Sequence, residues 1–292
     1  MPPVEQLLDL DVLSARALRP HASAPRPFLK WAGSKRNLLH HIVPVLPTRF
    51  RTYREPFLGS AALFFLLRPD AAVLSDRASE LIQTFIAVRD NVAAVERYLR
   101  QLDPSRSTYY AVRSNRSRGR FKRAAEFIYL NRNCWNGLFR VNSAGQFNVP
   151  YGWPKGPNEV DIPNLRACAT LLRGPRISIW SADFEENLDD AKAGDLVYLD
   201  PPYVTGHNNN GFVDYNEVLF SWADQIRLAV AADRLAARGA TVIVSNANHN
   251  EVIKLYPDFT RISFSRSSTL ASDKTKRGAV SEVLMVSPRR GK

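Results

Sequence analysis

Three short apolar runs that end in polar residues constrain this chain more than any other feature. They are Ala71 to Leu74 before Ser75 and Asp76, Leu196 to Leu199 before Asp200, and Thr241 to Val244 before Ser245 and Asn246. Short continuous apolar runs of this kind suit strands buried on both faces of a parallel sheet. Between the last two runs, Leu228, Ala231, Ala232 and Leu235 recur at helical spacing, with Ser221 placed to cap the helix and Gly239 to stop it. Strand, helix, strand predicts an α/β sheet whose ligands lie outside the carboxyl ends of its strands. Asp76 and Asp200 fall at such ends. An acidic residue after a strand also serves as a helix N-cap, and for Asp76 taken alone both readings stand.

The remaining pattern is that of an ordinary soluble chain. Its 292 residues, 45% hydrophobic, suffice for a substantial core. The formal net charge of +12 favours polyanionic partners, nucleic acid first among them, the other reading being a basic protein whose charge has no specific target. Cys134 and Cys168 are far apart and outside any CxxC spacing, which speaks against a disulfide framework or a cysteine zinc site and fits a reducing cytoplasm. The five histidines form no HExxH or HxE pattern, so no metal is expected. No apolar run reaches the length of a membrane span, and no signal-peptide core is apparent at the N-terminus. Residues 1–27, with an apolar piece at Leu7 to Leu13 followed by Pro20, Pro25 and Pro27, read as an N-terminal extension. Leu38, Ile42 and Val45 predict a short amphipathic helix starting after Gly33 and Ser34.

Asp200-Pro201-Pro202-Tyr203 carries the most specific chemistry. A carboxylate and the carbonyl of Pro201 offer two acceptors, the complement of an exocyclic amino group with two hydrogens. The prolines fix φ, and Pro202 lacks a competing N–H. The Tyr203 ring is suited to stack on a flat base, which requires a base extruded from the duplex. Upstream, Arg54 to Ala62 (REPFLGSAA) supplies small residues that permit close approach of a ligand. It is neither GxGxxG nor a P-loop, which argues against dinucleotide and phosphate-loop enzymes.

In the middle of the chain, Arg113 to Arg123 holds six cations in eleven positions, next to Tyr129, Trp135 and Phe139. That texture predicts an inserted module that contacts phosphates and stacks bases, the other reading of such a charge run being a solvated face. A loop from Ser265 to Arg277, with Lys274, Lys276 and Arg277, is expected to face DNA, followed by a last strand, Val283 to Val286, at a sheet edge. The polar stretch His207 to Gly211 reads either as an active-site flap or as a plain surface loop.

With these residues in view, the chain resembles the Dam-like (D12 class, alpha group) DNA adenine-N6 methyltransferase family. Seven segments carry the likeness in order: Phe28 to Lys35 (FLKWAGSK), Glu55 to Ser60 (EPFLGS), Leu74 to Asp76 (LSD), Leu130 to Arg140 (LNRNCWNGLFR), Phe147 to Pro150 (FNVP), Asp200 to Tyr203 (DPPY) and Ser245-Asn246. The resemblance implies a Rossmann-like methyltransferase fold using S-adenosylmethionine, with an inserted, mostly helical target-recognition domain carrying a β-hairpin. The catalytic domain is expected over 28–76 and 164–292, and the insertion over 77–163.

By the same resemblance, Trp31, Lys35, Phe57, Gly59, Asp76 and Asp200 hold S-adenosylmethionine, with Asp76 on the ribose. Asp200, Pro201, Pro202 and Tyr203 form the catalytic turn. Lys30, Trp135, Asn136, Arg140, Asn142 and Pro150 contact double-stranded DNA, with Asn142 to Gly145 as the hairpin turn and Arg140 suited to reading guanine. A cognate restriction endonuclease is a partner such enzymes can have, and nothing in the sequence bears on it or on oligomeric state. Two departures stand out: Gly33-Ser34 in place of Gly-Gly, and Tyr151-Gly-Trp-Pro154 after the shared Asn-Val-Pro. The second removes basic and aromatic positions that the family's Dam member uses in recognition, and GATC is the expected target. The rival readings are an N4-cytosine methyltransferase and a catalytically silent DNA-binding regulator on the same scaffold.

Overall fold

The computed structural model describes residues 25–31, 33–154, 160–203, 220–267 and 279–288. Leu7 to Leu13, His207 to Gly211, and Lys274, Lys276 and Arg277 lie outside the described residues. The described strands are β1 (Tyr53–Glu55), β2 (Ala72–Asp76), β3 (Ile177–Ser181), β4 (Leu196–Leu199), β5 (Thr241–Ala247), β6 (Thr260–Ser267) and β7 (Ala279–Val286). The helices are α1 (Leu39–Ile42), α2 (Ala62–Leu67), α3 (Ser79–Leu99), α4 (Arg106–Ser114), α5 (Arg120–Asn133), α6 (Ile162–Leu172), α7 (Phe184–Leu188), α8 (Trp222–Ala237) and α9 (Asn250–Lys254). Tight 3-10 turns, Lys35–Leu38 and Val43–Val45, flank α1, so the helix predicted after Ser34 is present in a tightened form.

The strands form one sheet in the order β3-β2-β1-β4-β5-β7-β6. β1 runs parallel to β2 and β4, β4 runs parallel to β5, and β7 is antiparallel to β5 and β6. This is the doubly wound order 3-2-1-4-5-6 with one antiparallel strand inserted between the fifth and sixth. The three apolar runs fall in β2, β4 and β5, and the expected α/β class holds. The order in which strands are added reverses between β1 and β4, whose register pairs Arg54 with Val197, so the residues after Glu55 and after Leu199 leave neighbouring strand ends. Such a switch point is where open α/β sheets bind ligands.

One expectation at the sheet's end is corrected. Val283 to Val286 does belong to the last strand, but β7 lies between β5 and β6, and β6 takes the edge. Ser265 to Ser267, expected in a loop, belong to β6. An edge strand with one solvated face carries few apolar residues: Thr260, Arg261, Ser263 and Ser265 are exposed while Phe264 is buried. Its polar side disguised it as a loop.

The chain divides into two compact units. One comprises Met1–Pro44, Leu58–Ala71 and Asp76–Ser181; the other Val45–Phe57, Ala72–Ser75 and Ala182–Lys292. In the first, α3 packs along α5. Phe28 packs on Phe85 with ring centroids 4.9 Å apart and meets Phe65 edge-on. α3 breaks at Asn91 (φ −151°), whose Oδ1 accepts the N–H of Ala94 at 3.0 Å and so caps the second half of the helix. Both cysteines lie in this unit, buried and unbridged, and burial pushes each thiol up to about 12.

In the second unit, α8 begins with a reciprocal cap. Ser221 Oγ accepts the Asp224 N–H at 3.2 Å, and Asp224 accepts the Ser221 N–H at 2.9 Å. The helix stops before Gly239, whose φ of +90° few other residues adopt without strain. The core joins α8 to the sheet through Leu228, Leu235, Val242, Val244, Val283 and Met285. At the base of β1, Arg54 is buried and held by Asp195 (3.0 Å), Asp190 (2.6 Å) and the Asn187 carbonyl (2.5 Å). Asp195, with no exposure, also accepts from Arg51 and from the Lys192 N–H, both at 3.1 Å.

Two outcomes follow for stability and reactivity. Asp195→Ala takes from the buried Arg54 its one buried carboxylate partner, leaving Asp190 and the Asn187 carbonyl, and is expected to cost about 3 kcal/mol, measured by urea unfolding. Native Cys134 and Cys168 should react with a disulfide reagent orders of magnitude more slowly than after guanidinium unfolding; a fast native phase would contradict their burial.

Candidate active site

In the first unit, Asp76 ends β2 and ties two turns together. Its Oδ2 accepts the Gly59 N–H at 3.0 Å and its Oδ1 accepts the Ala78 N–H at 2.9 Å. α3 starts after Ala78 with no side-chain cap, so the N-cap reading of Asp76 does not hold. Burial raises its carboxyl above the usual range, opposed by the N–H groups of Ala78, Gly59 and Arg77. Gly59 has φ +47°, and a Cβ there would lie 2.9 Å from Trp31 Cδ1. Trp31 in turn stacks on Phe139, centroids 5.5 Å apart at 20°. Lys35 is buried, its Nζ donating to the Gly33 carbonyl at 3.1 Å, and Ser34 meets Ser60 through their hydroxyls at 2.9 Å. Trp31, Gly59 and Asp76 are therefore gathered at one place, with Lys35 on the adjoining turn.

The residues expected at DNA occupy the same unit. Lys30, exposed, is clamped by buried Asn131: its N–H donates to Asn131 Oδ1 at 2.8 Å, and Asn131 Nδ2 donates to the carbonyls of Lys30 (2.6 Å) and Gly137 (3.2 Å). The Lys30 Nζ donates to the Arg132 carbonyl at 3.2 Å; burial, then Arg132, lowers its pKa. Trp135 and Asn136 form a 3-10 turn in which Asn136 is exposed at φ +52°. The Trp135 N–H donates to the Pro150 carbonyl at 2.9 Å, joining two of the expected contacts. Arg140, exposed, donates through Nε to Asn148 at 2.8 Å.

Residues 140–148 fold back through an antiparallel bridge between Val141 and Phe147. The expected turn at Asn142 to Gly145 is closed by a 2.9 Å backbone bond. Asn142 is a builder of that turn, its Oδ1 accepting the N–H groups of Ala144 and Gln146.

Two expectations for this region are corrected. Of the six cations between Arg113 and Arg123, four are engaged within the chain: Arg116 on Glu80 and Glu126, Arg123 on Glu80, Arg120 on Asp90, and Arg113 on the Val149 carbonyl. Carboxylates pair with Arg116, Arg120 and Arg123, and a backbone carbonyl holds Arg113. Tyr129 and Phe139 are not exposed stackers either. Tyr129 is buried with its hydroxyl on the Asp103 carbonyl at 2.7 Å, and Phe139 packs among Trp31, Phe127 and Phe147.

In the second unit, the catalytic candidates leave the end of fully buried β4. Pro201 is buried, while Asp200, Pro202 and Tyr203 are partly exposed. The Tyr203 hydroxyl donates to Glu282 Oε2 at 2.8 Å and lies 3.2 Å from Ser245 Oγ. Gln225 Nε2 reaches the Pro202 carbonyl at 3.4 Å, and Asn246 Nδ2 donates to Gln225 Oε1 at 3.2 Å. Ser245, Asn246, Gln225 and Glu282 have no exposure. Burial raises the Tyr53 and Tyr198 phenols well above their usual range, with Glu55 next in effect on Tyr53 and Asp200 on Tyr198. Phe57 stacks on Phe184 at 5.6 Å and meets Phe220 edge-on.

Gln225, Glu282 and Asn131 were missed in the sequence. The signal was there in one case: Glu282 is a lone charge in an otherwise uncharged strand. Among the described residues, no group of three or more His, Cys, Asp or Glu is arranged to hold a metal, and no helix is long and apolar enough to cross a membrane.

A doubly wound sheet with an inserted antiparallel strand is that of a methyltransferase fold, and an Asp-Pro-Pro-Tyr turn leaves its switch point. The family model described as D12 class N6 adenine-specific DNA methyltransferase matches residues 31–270, and the chain belongs to that family. It is an adenine-specific DNA methyltransferase, which sets the cytosine amine aside. Among its relatives, the Type II methyltransferase M1.LlaDCHI of Lactococcus lactis subsp. cremoris is 37% identical over 89% of this chain and 94% of its own. The Type II methyltransferase M.MjaIII of Methanocaldococcus jannaschii is 34% identical over 89% and 98%. A DNA adenine methylase of Haemophilus influenzae is 30% identical over 89% and 93%.

Gly59→Ala is expected to strain a left-handed position and push Trp31 off Phe139, lowering stability by about 1–3 kcal/mol. Thermal denaturation checks this, and an unchanged midpoint would show that the contact yields without cost.

Proposed function

We propose that the chain transfers a methyl group from S-adenosylmethionine to N6 of an adenine extruded from double-stranded DNA, with GATC as the target. The observation that carries this reading is the Asp200-Pro201-Pro202-Tyr203 turn, anchored at Tyr203 by buried Glu282 and Ser245. Asp200 and the Pro201 carbonyl accept the two amino hydrogens, turning the N6 lone pair toward the incoming carbon, and Tyr203 stacks on the base. S-adenosylmethionine supplies the methyl group from its sulfonium: the S–C bond breaks as the C–N bond forms, and a proton leaves N6 afterwards. N6 is a weak nucleophile because its lone pair conjugates with the ring, so positioning contributes much of the rate. No covalent enzyme intermediate is required.

The cofactor residues are Trp31, Lys35, Phe57, Gly59, Asp76 and Asp200. Left-handed Gly59 lets the Trp31 ring lie close against the backbone, and Asp76, bonded to the Gly59 N–H, offers carboxylate acceptors to a ribose diol. Asp76, already holding two N–H groups, retains lone pairs for hydroxyls. DNA recognition is assigned to 77–163 together with Lys30. Within it, Trp135, Asn136 and Pro150 are joined through one backbone bond, and Asn142 builds the adjacent turn. Arg140, steadied by Asn148, has its Nη donors for the O6 and N7 of a guanine.

Purified protein incubated with unmethylated DNA and methyl-labelled S-adenosylmethionine should yield labelled N6-methyladenine on nucleoside mass spectrometry, mapping to GATC. Asp200→Ala should lose transfer by about 10²-fold or more while retaining DNA binding. Full activity in that variant would end the mechanism, N6-methyladenine at another sequence would revise the target alone, and tight DNA binding with no methylation would favour the silent regulator.

A further inference from the structure

The far end of Tyr203, the last residue of the catalytic turn, is tied to two different strands of the sheet. Its hydroxyl donates to Glu282 in β7 at 2.8 Å and lies 3.2 Å from Ser245 in β5. These strands are neighbours in the sheet, with Ser245 opposite Leu284 and Ala247 opposite Glu282. Glu282 has no exposure, and the residues that follow it in the strand, Val283, Leu284 and Met285, are buried and apolar. A carboxyl placed there costs free energy unless its oxygens are hydrogen-bonded. Packing would favour another apolar residue, so a carboxyl at this point is best explained by what it holds.

We propose that Glu282 is a positioning residue for methyl transfer: by accepting the Tyr203 hydroxyl it fixes the line along which the ring lies, and because a phenolic O–H stays close to its ring plane it also favours one tilt of the face on which the extruded base stacks. This rests on the stacking role given to Tyr203 above. The backbone end of the ring is already restricted, since Pro202 fixes φ and its carbonyl is met by Gln225 at 3.4 Å. A phenol held at its oxygen and restrained at its backbone has little freedom left about its side-chain torsions. The ring then presents one fixed face, and the base that lies on it has its amino group at a set height relative to Asp200 and the Pro201 carbonyl. The hydrogen bond to a carboxyl oxygen also enriches the ring in electrons, which favours a base that gains positive charge as the new C–N bond forms. Glu282 touches neither base nor cofactor in this scheme and acts only through Tyr203.

Steady-state methylation with a double-mutant cycle tests the proposal. Glu282→Ala and Tyr203→Phe should each lower kcat about 10- to 100-fold with KM for DNA nearly unchanged. Their combination should be no worse than the poorer single variant, because each breaks the same bond. Glu282→Gln, which keeps an acceptor oxygen, should retain kcat within about threefold of the parent. A merely structural Glu282 would lower the melting temperature, and Glu282→Ala would cut kcat by the same factor with and without the Tyr203→Phe substitution; that additivity overturns the proposal. Full kcat in Tyr203→Phe, a variant that keeps the ring and its packing, overturns it as well. Tyr203→Ala, read with 2-aminopurine at the target position, separates this from the underlying reading. Unchanged transfer and fluorescence there would remove the stacking role itself, whereas a disabled Tyr203→Ala beside fully active Tyr203→Phe and Glu282→Ala would remove only the positioning role.

Discussion

β4 is hydrogen-bonded to β1 along one edge and to β5 along the other, and all four of its residues, Leu196 to Leu199, are buried. A strand enclosed on both faces and both edges cannot shift by one residue without exposing apolar side chains and orphaning backbone groups. Its end is therefore a fixed point, and Asp200 is where the chain first leaves the ladder. Two prolines stiffen the next step, so the rigidity of the strand is passed to the carboxyl and carbonyl acceptors beyond it.

Around that fixed point the second unit builds a buried polar layer from several elements. Gln225 of α8, Ser245 and Asn246 of β5 and Glu282 of β7 converge on Pro202 and Tyr203. Each is a polar group removed from water, which is tolerable because they satisfy one another and the turn. In the first unit Asn131 works in a similar way, joining Lys30 to the turn Trp135–Gly137, while Asp76 joins Gly59 to Ala78. Placement of the candidate ligand-facing groups thus depends on buried polar side chains that brace one turn against another.

Charge shows the limit of reading function from composition. The run Arg113 to Arg123 has the density of a phosphate-binding surface, yet Glu80, Glu126 and Asp90 draw most of its guanidinium groups into ion pairs that hold α3 and α5 together. The acids lie up to 43 residues away in sequence, so no window along the chain reveals the pairing. The aromatic neighbours mislead for the same reason: Tyr129 and Phe139 have the right chemistry for stacking but face the interior.

The α/β class, the positions of β2, β4 and β5, the limits of α8 and the turn at Asn142 to Gly145 were all legible in the sequence. Each rests on local rules of apolar spacing, capping and turn chemistry acting over a few residues. The turn proposed as catalytic could be picked out in the sequence because the chemistry proposed for it lies in four consecutive residues. Tertiary structure alone decided that β6 forms the sheet's edge, that Asp76 bonds Gly59 instead of capping a helix, which cations are spent in ion pairs, and that Glu282 and Ser245 hold Tyr203. These are pairings between residues distant along the chain, chosen by which partners remain once apolar surface is buried and every interior polar group must find a hydrogen bond.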